Sequence, residues 1–83
     1  MKARLPRVTA AQVRRVVEKI GFVRTRHSGA HRIYRNAAGH RVTLPMHAGK
    51  ILHPKVLKSI LAEAGLSVRE FVRLLKEAQR ASL

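Results

Sequence analysis

Residues 22–45 read FVRTRHSGAHRIYRNAAGHRVTLP and carry the clearest structural pattern in the chain. Side chains in three runs of this stretch alternate with a period of two, which is typical of β-strands. The alternating positions are Val23, Thr25 and His27, then His31, Ile33 and Arg35, then His40, Val42 and Leu44. Ser28-Gly29 and the segment 36–39 are turn sequences between these runs. We therefore predict a meander of three antiparallel strands, the last of which ends at Pro45.

Helical patterns flank the strands on both sides. Before them, Thr9 and Gln12 form a capping box, and an apolar face with helical spacing follows as far as Gly21, which predicts a helix over 10–19. After them, a second helix begins near Pro54 and ends at Gly65, and the capping box Ser67-Val68-Arg69-Glu70 opens a third. The order α-β-β-β-α-α predicts an α+β fold with the helices on one face of a three-stranded antiparallel sheet.

The length and composition bound the class of protein. The chain has 83 residues, of which 46% are apolar, so we expect one domain with one small core over residues 1–83. There is no Cys, which excludes disulfides and thiolate chemistry and permits a reducing compartment. No apolar run resembles a secretion signal or approaches a membrane span, so we expect a cytoplasmic protein with no membrane partner.

The charge of the chain is strongly positive and unevenly distributed. Lys and Arg number 18 against 4 acids, a net charge of +14, and no acid occurs between Lys19 and Ala62. All 5 His lie in that interval, together with the predicted strands. Uncompensated cations repel one another unless a partner relieves the repulsion, so we predict a face that binds a polyanion. With only 3 aromatic residues, contacts to nucleic acid should be to the backbone rather than by base stacking.

The histidines are the remaining candidates for chemistry. A zinc site is disfavoured, because there is no Cys and no helical His pair with a nearby Glu. A serine triad lacks a carboxylate near any Ser and His of the strand region. RNA, however, carries its own nucleophile in the 2′-hydroxyl and needs only proton exchange and cations around the phosphate. At this point the residues leave open which His would exchange the proton.

Five segments in a specific order resemble the HicA toxin family, the small mRNA interferases of bacterial type II toxin–antitoxin pairs. The segments are LPRVT at 5–9, KIGF at 19–22, GAHRIYR at 29–35, RVTLPMHAGK at 41–50 and LKSILAEAGLS at 57–67. The resemblance implies a fold similar to the double-stranded RNA-binding domain and cleavage of mRNA or other RNA without a metal or cofactor. It also implies a HicB-type antitoxin that covers the toxin's site.

The resemblance also implies site residues. The family's catalytic histidine lies in a Gly-Ser-His motif that falls on His31, with Ala30 in place of the usual Ser. His31 shares its strand parity with Ile33, so a packed position at the rim of the core is the alternative. His47 matches a recurring family position, where it would either order the loop or contact RNA. Three cations are candidates for phosphate contact: Arg32, Lys50 and Lys55.

Two other functions remain open. One is a non-catalytic RNA-binding module, since the implied fold is used widely for binding alone. The other is a helix-turn-helix DNA binder, because the segment 61–67 resembles the turn of that motif. The third helix argues against DNA readout, since many of its residues are apolar and a recognition helix must present polar side chains to a groove.

Overall fold

The computed structural model describes residues 4–47 and 49–81 and confirms the predicted order α-β-β-β-α-α. The elements are α1 (Ala10–Lys19), β1 (Val23–Ser28), β2 (His31–Arg35), β3 (Arg41–Pro45), α2 (Pro54–Ala64) and α3 (Val68–Ala81). The strands form one antiparallel sheet in the order β1-β2-β3, as a meander requires. Each boundary lies within a residue or two of its sequence signal, because caps and turn residues mark nearly every end.

The β1–β2 hairpin sets the register of the sheet. Its loop consists of Gly29 and Ala30, of which Gly29 has a positive φ of +58° and Ala30 does not. Positive φ at the first loop position alone is the sign pattern of a type II′ turn, which matches the twist of the flanking strands. The turn pairs Ser28 with His31, and this register continues until a bulge between Arg24 and Arg26. The Thr25 hydroxyl in the bulge donates to the Ile33 carbonyl at 3.3 Å.

The core lies between one face of the sheet and the helices. Tyr34, Val42 and Leu44 point from the sheet into this layer, where each is at most 1% exposed. Helix α2 packs on β3, and α1 packs on both β3 and α3. Strand β1 extends beyond the helices, and all six of its residues are exposed. Burial of apolar area therefore anchors β2 and β3, whereas β1 is an edge strand protected from aggregation by its charged side chains.

No helix of the described residues covers the opposite face of the sheet, and we call it the open face. It is formed by Val23, Arg26, Ser28, His31, Ile33, Arg35, Arg41, Thr43 and Pro45, which share side-chain parity through the register. Ile33, Thr43 and Pro45 are half-buried, and the remaining six are exposed.

All three helices begin at side-chain caps. The Thr9 hydroxyl accepts from the Gln12 backbone N–H, and the Gln12 side chain accepts from the Thr9 backbone N–H in return. Ser67 and Glu70 make the same reciprocal pair before α3. At α2 the cap is His53, whose Nδ1 accepts from the Lys55 backbone N–H at 3.1 Å. His53 therefore has a structural role that its sequence context did not indicate.

The cap at α3 should make the stability of the protein depend on pH. Hydrogen bonds from the Ser67 backbone and then its hydroxyl hold the pKa of the Glu70 carboxyl below its ordinary value of 4.5. A depressed folded-state pKa means that ionised Glu70 stabilises the fold above the unfolded-state pKa, and that this stabilisation is lost as the pH falls through the folded value. We expect Glu70→Gln to lower the free energy of unfolding at neutral pH and to have little effect below the folded-state pKa, measured by urea unfolding.

The capping box at α1 provides the matched control, because its Gln12 does not titrate. Thr9→Ala should cost about 1 kcal/mol of unfolding free energy at neutral and at acid pH alike. A cost for Glu70→Gln that is equal at both pH values would show that the charge of Glu70 contributes nothing to the cap.

Candidate functional site

His31 is the first residue of β2, directly after the two-residue turn, and its side chain is exposed on the open face. Its cross-strand neighbours are Ser28 on β1 and Pro45 on β3. The alternative of a packed His31 is wrong, because Tyr34 and not Ile33 has the parity that faces the helices. The imidazole is therefore free to meet a large substrate, and histidine in general exchanges protons near neutral pH.

Arg26 is the cation that the register brings closest to His31 on this face. It pairs with Ile33, two residues beyond His31 on β2, which makes Arg26 and His31 diagonal neighbours on adjacent strands. Diagonal positions lie about 7–8 Å apart, within reach of long side chains. Arg26 is not among the site residues predicted from the sequence, although the two-residue turn at Gly29 and Ala30 implies its pairing with Ile33.

His47 lies at the same end of the sheet as His31. The Met46 backbone N–H donates to the Ala30 carbonyl at 2.6 Å, which ties the end of β3 to the residue before His31. The His47 backbone donates to the Pro45 carbonyl at 3.1 Å and accepts from Lys50 at 3.2 Å, while its side chain is exposed. These bonds show the backbone of His47 ordering the loop and leave its imidazole available.

The three cations predicted to contact phosphate lie in different places. Lys50 is exposed in the loop after His47, and Lys55 is exposed in the first turn of α2. Arg32 is half-buried and follows His31 on β2, but it points to the helix-bearing side of the sheet, opposite to His31. The structure thus brings His31 and His47 to one end of the sheet and places the side chain of Arg32 on the other face.

Within residues 4–47 and 49–81, no arginine of the strands forms an ion pair with an acid. Arg14 pairs with Glu18 at 3.2 Å and Lys19 with Glu77 at 4.0 Å, and all four residues belong to helices. The five arginines of the strands are therefore uncompensated: Arg24, Arg26, Arg32, Arg35 and Arg41. This arrangement produces a positive potential on both sides of β1 and β2, which attracts polyanions.

The described residues contain neither a metal-ligand cluster nor a membrane-spanning helix. No group of three or more His, Cys, Asp or Glu side chains converges there as a metal site would require. Among the helices of residues 4–47 and 49–81, none is long and apolar enough to cross a membrane.

Comparison with known proteins identifies the family. A search of the curated proteins found no match. A family model described as HicA toxin of bacterial toxin-antitoxin matches residues 10–66, which contain the whole sheet, α1, α2 and His31. Because this match covers more than half of the 83 residues, the chain belongs to the HicA toxin family and is a toxin whose partner is an antitoxin.

Proposed function

We propose that this toxin is a metal-independent endoribonuclease that cleaves mRNA in the cytoplasm and uses His31 as its general acid or base. In the reaction, the 2′-oxygen of a ribose bonds to the adjacent phosphorus and the bond from phosphorus to the 5′-oxygen breaks. The 2′-hydroxyl loses its proton and the leaving 5′-oxygen gains one, so the products are a 2′,3′-cyclic phosphate and a 5′-hydroxyl. A positioned imidazole accelerates one of these proton transfers.

The observation that carries the proposal is the exposure of His31 on the open face, beside an uncompensated cation. His31 is unhindered by any helix, and Arg26 is its diagonal neighbour on β1. A guanidinium near the scissile phosphate stabilises the negative charge that develops on its oxygens. His47 lies at the same end of the sheet, and the exposed Lys50 is hydrogen-bonded to it in the same loop, so both extend the positive surface for the flanking RNA. Lys55, exposed in the first turn of α2, is a further candidate for phosphate contact.

The proposed protein partner is a HicB-type antitoxin with an acidic surface. A toxin of charge +14 attracts an acidic protein rapidly, and a surface that covers the open face would exclude RNA. RNA and antitoxin would then compete for His31 and its surroundings.

A cleavage assay in EDTA tests the nuclease. The wild-type protein should cut a single-stranded RNA to products that end in a 2′,3′-cyclic phosphate, and a single 2′-deoxy nucleotide at the cut should block the reaction because it removes the nucleophile. RNA that is bound but never cut would support the non-catalytic binding module instead. Cleavage that requires added Mg²⁺ would contradict a metal-independent mechanism.

The same assay tests the masking by antitoxin. A saturating amount of the cognate antitoxin should stop cleavage, and excess RNA should relieve the inhibition. Unchanged cleavage in the presence of bound antitoxin would show that the antitoxin does not cover the site.

A further inference from the structure

A groove of about 530 Å³ lies on the helix-bearing side of the sheet, between α1 and the uncovered strand β1. One wall is the ion pair of Arg14 and Glu18 on α1. The other wall is formed by Arg24 of β1 and Arg32 of β2, and Tyr34 lies between the walls. Three arginines and a single acid leave the groove with a net positive charge. Arg32 and His31 point to opposite sides of β2, so the groove and His31 lie on different faces of the sheet, and Val23 of the open face borders the groove at the edge.

Tyr34 presents an unused hydrogen-bond donor to this groove. The residue is 1% exposed, and its hydroxyl has no hydrogen-bond partner within residues 4–47 and 49–81. Yet no side-chain oxygen or nitrogen of the described residues is both fully buried and unpaired, so the hydroxyl contacts solvent in the groove. A tyrosine that is buried except at an unpaired hydroxyl is positioned to donate to a ligand.

The charges of the groove act on this hydroxyl. Burial, and after it the charge of Glu18, raise the pKa of Tyr34 above its ordinary value of 10.0, against the opposing effects of Arg14, Arg32 and Arg24. The hydroxyl therefore stays protonated at neutral pH. Arg14, Arg24 and Arg32 line the same groove as Tyr34, so an oxyanion bound there would meet guanidinium donors as well as the hydroxyl.

We infer that this groove binds a phosphodiester of the RNA backbone, to which Tyr34, Arg24 and Arg32 donate hydrogen bonds. The inference rests on the proposed function, because the RNA is the strand that His31 would cleave. Arg32 directly follows His31 on β2, and the exposed strand β1 is the edge of the sheet next to β2. Neighbouring β-strands are about 4.8 Å apart. A flexible RNA chain bound at His31 therefore passes around the edge at β1 over a short distance and contacts the groove on the other face.

Binding of a 2′-O-methyl oligoribonucleotide tests the groove, because this RNA lacks the nucleophile and cannot be cleaved. Tyr34→Phe keeps the buried ring and removes only the hydroxyl, and it should weaken binding about tenfold, as expected for a hydrogen bond to a charged group. Arg24→Gln should weaken it at least as much. Glu18→Gln removes the one acid and should strengthen binding about two- to threefold, the size typical of an exposed charge interaction.

Arg73→Gln on α3 is the matched control for Arg24→Gln, since it makes the same change in net charge at a residue that does not line the groove. Equal losses for these two variants would overturn the inference, because they would show an effect of net charge alone. Wild-type affinity of Tyr34→Phe for RNA would also overturn the inference. It would do so even if the same variant bound an acidic antitoxin more weakly than the wild-type protein does.

The groove and the nuclease fail in different ways. Weaker binding by Tyr34→Phe in a protein that never cleaves RNA supports the groove and contradicts the nuclease. Normal binding by Tyr34→Phe in a protein that cleaves RNA contradicts the groove and supports the nuclease. A wild-type protein that binds no RNA contradicts both.

Discussion

Replacing His31 with alanine should lower the rate of RNA cleavage about 10²- to 10⁴-fold, the range that a positioned proton-transfer group supplies. The affinity for RNA should change little, because the side chain is exposed on a face whose cations all remain. Exposure also means that the substitution leaves no cavity, so the variant should fold. Single-turnover cleavage at saturating enzyme, together with binding of uncleavable RNA, separates the two quantities.

His27→Ala and His40→Ala are the matched controls. Both histidines are exposed in the same basic region, but His27 points to the helix-bearing side and His40 lies in the β2–β3 loop. Both variants should keep most of the activity. That result would show that the loss in His31→Ala comes from removing a proton-transfer group and not from removing any imidazole of the basic region. A folded His31→Ala protein that cleaves at the original rate would remove His31 from the mechanism, and His47 would be the next residue to replace.

The affinity for single-stranded RNA should fall about 100-fold between roughly 50 and 200 mM salt. Contact with about five phosphates predicts a slope of log K against log salt near −3.5, at about −0.7 for each phosphate. The strand arginines are uncompensated by acids in the described residues, so binding RNA releases counterions without first breaking ion pairs of the protein. Titration of a 2′-O-methyl RNA at several salt concentrations measures the slope.

Single charge removals refine this test. Arg26→Gln should reduce the magnitude of the slope by about 0.7, the value for one lost phosphate contact. Arg73→Gln on α3 should leave the slope near its original value. A slope near zero in the wild-type protein would contradict a polyanion-binding surface altogether.

Local patterns in the sequence predicted the elements of this fold with little ambiguity. Capping boxes at Thr9 and Ser67, the glycine after α2 and the turn at Gly29 are local signals, and each depends on residues within about four positions of one another. Net charge and the absence of acids over the sheet are likewise properties of the sequence alone. His31 was predicted as the catalytic residue from its place in the family motif. Its chemistry alone could not select it, because all five histidines lie between Lys19 and Ala62.

The face on which each strand residue lies was decided only by tertiary packing. In β2, one parity holds His31, Ile33 and Arg35 and the other holds Arg32 and Tyr34, so each is a mixture of apolar and charged side chains. Alternation within β2 cannot choose between them. Packing decides which parity of β2 faces the helices. The register places Tyr34 opposite Val42, and Val42 belongs to the apolar side of β3 that the helices cover.

That choice exposes His31 and places Arg32 on the other side, and it brings Arg24 and Arg32 to the groove beside α1. These neighbours come from three different elements, α1, β1 and β2. The sequence by itself therefore determined the elements, their order and the positive charge, because these depend on local patterns and composition. Only the tertiary structure decided which cations accompany His31 and which accompany Tyr34, because burial of apolar area is a property of the whole core.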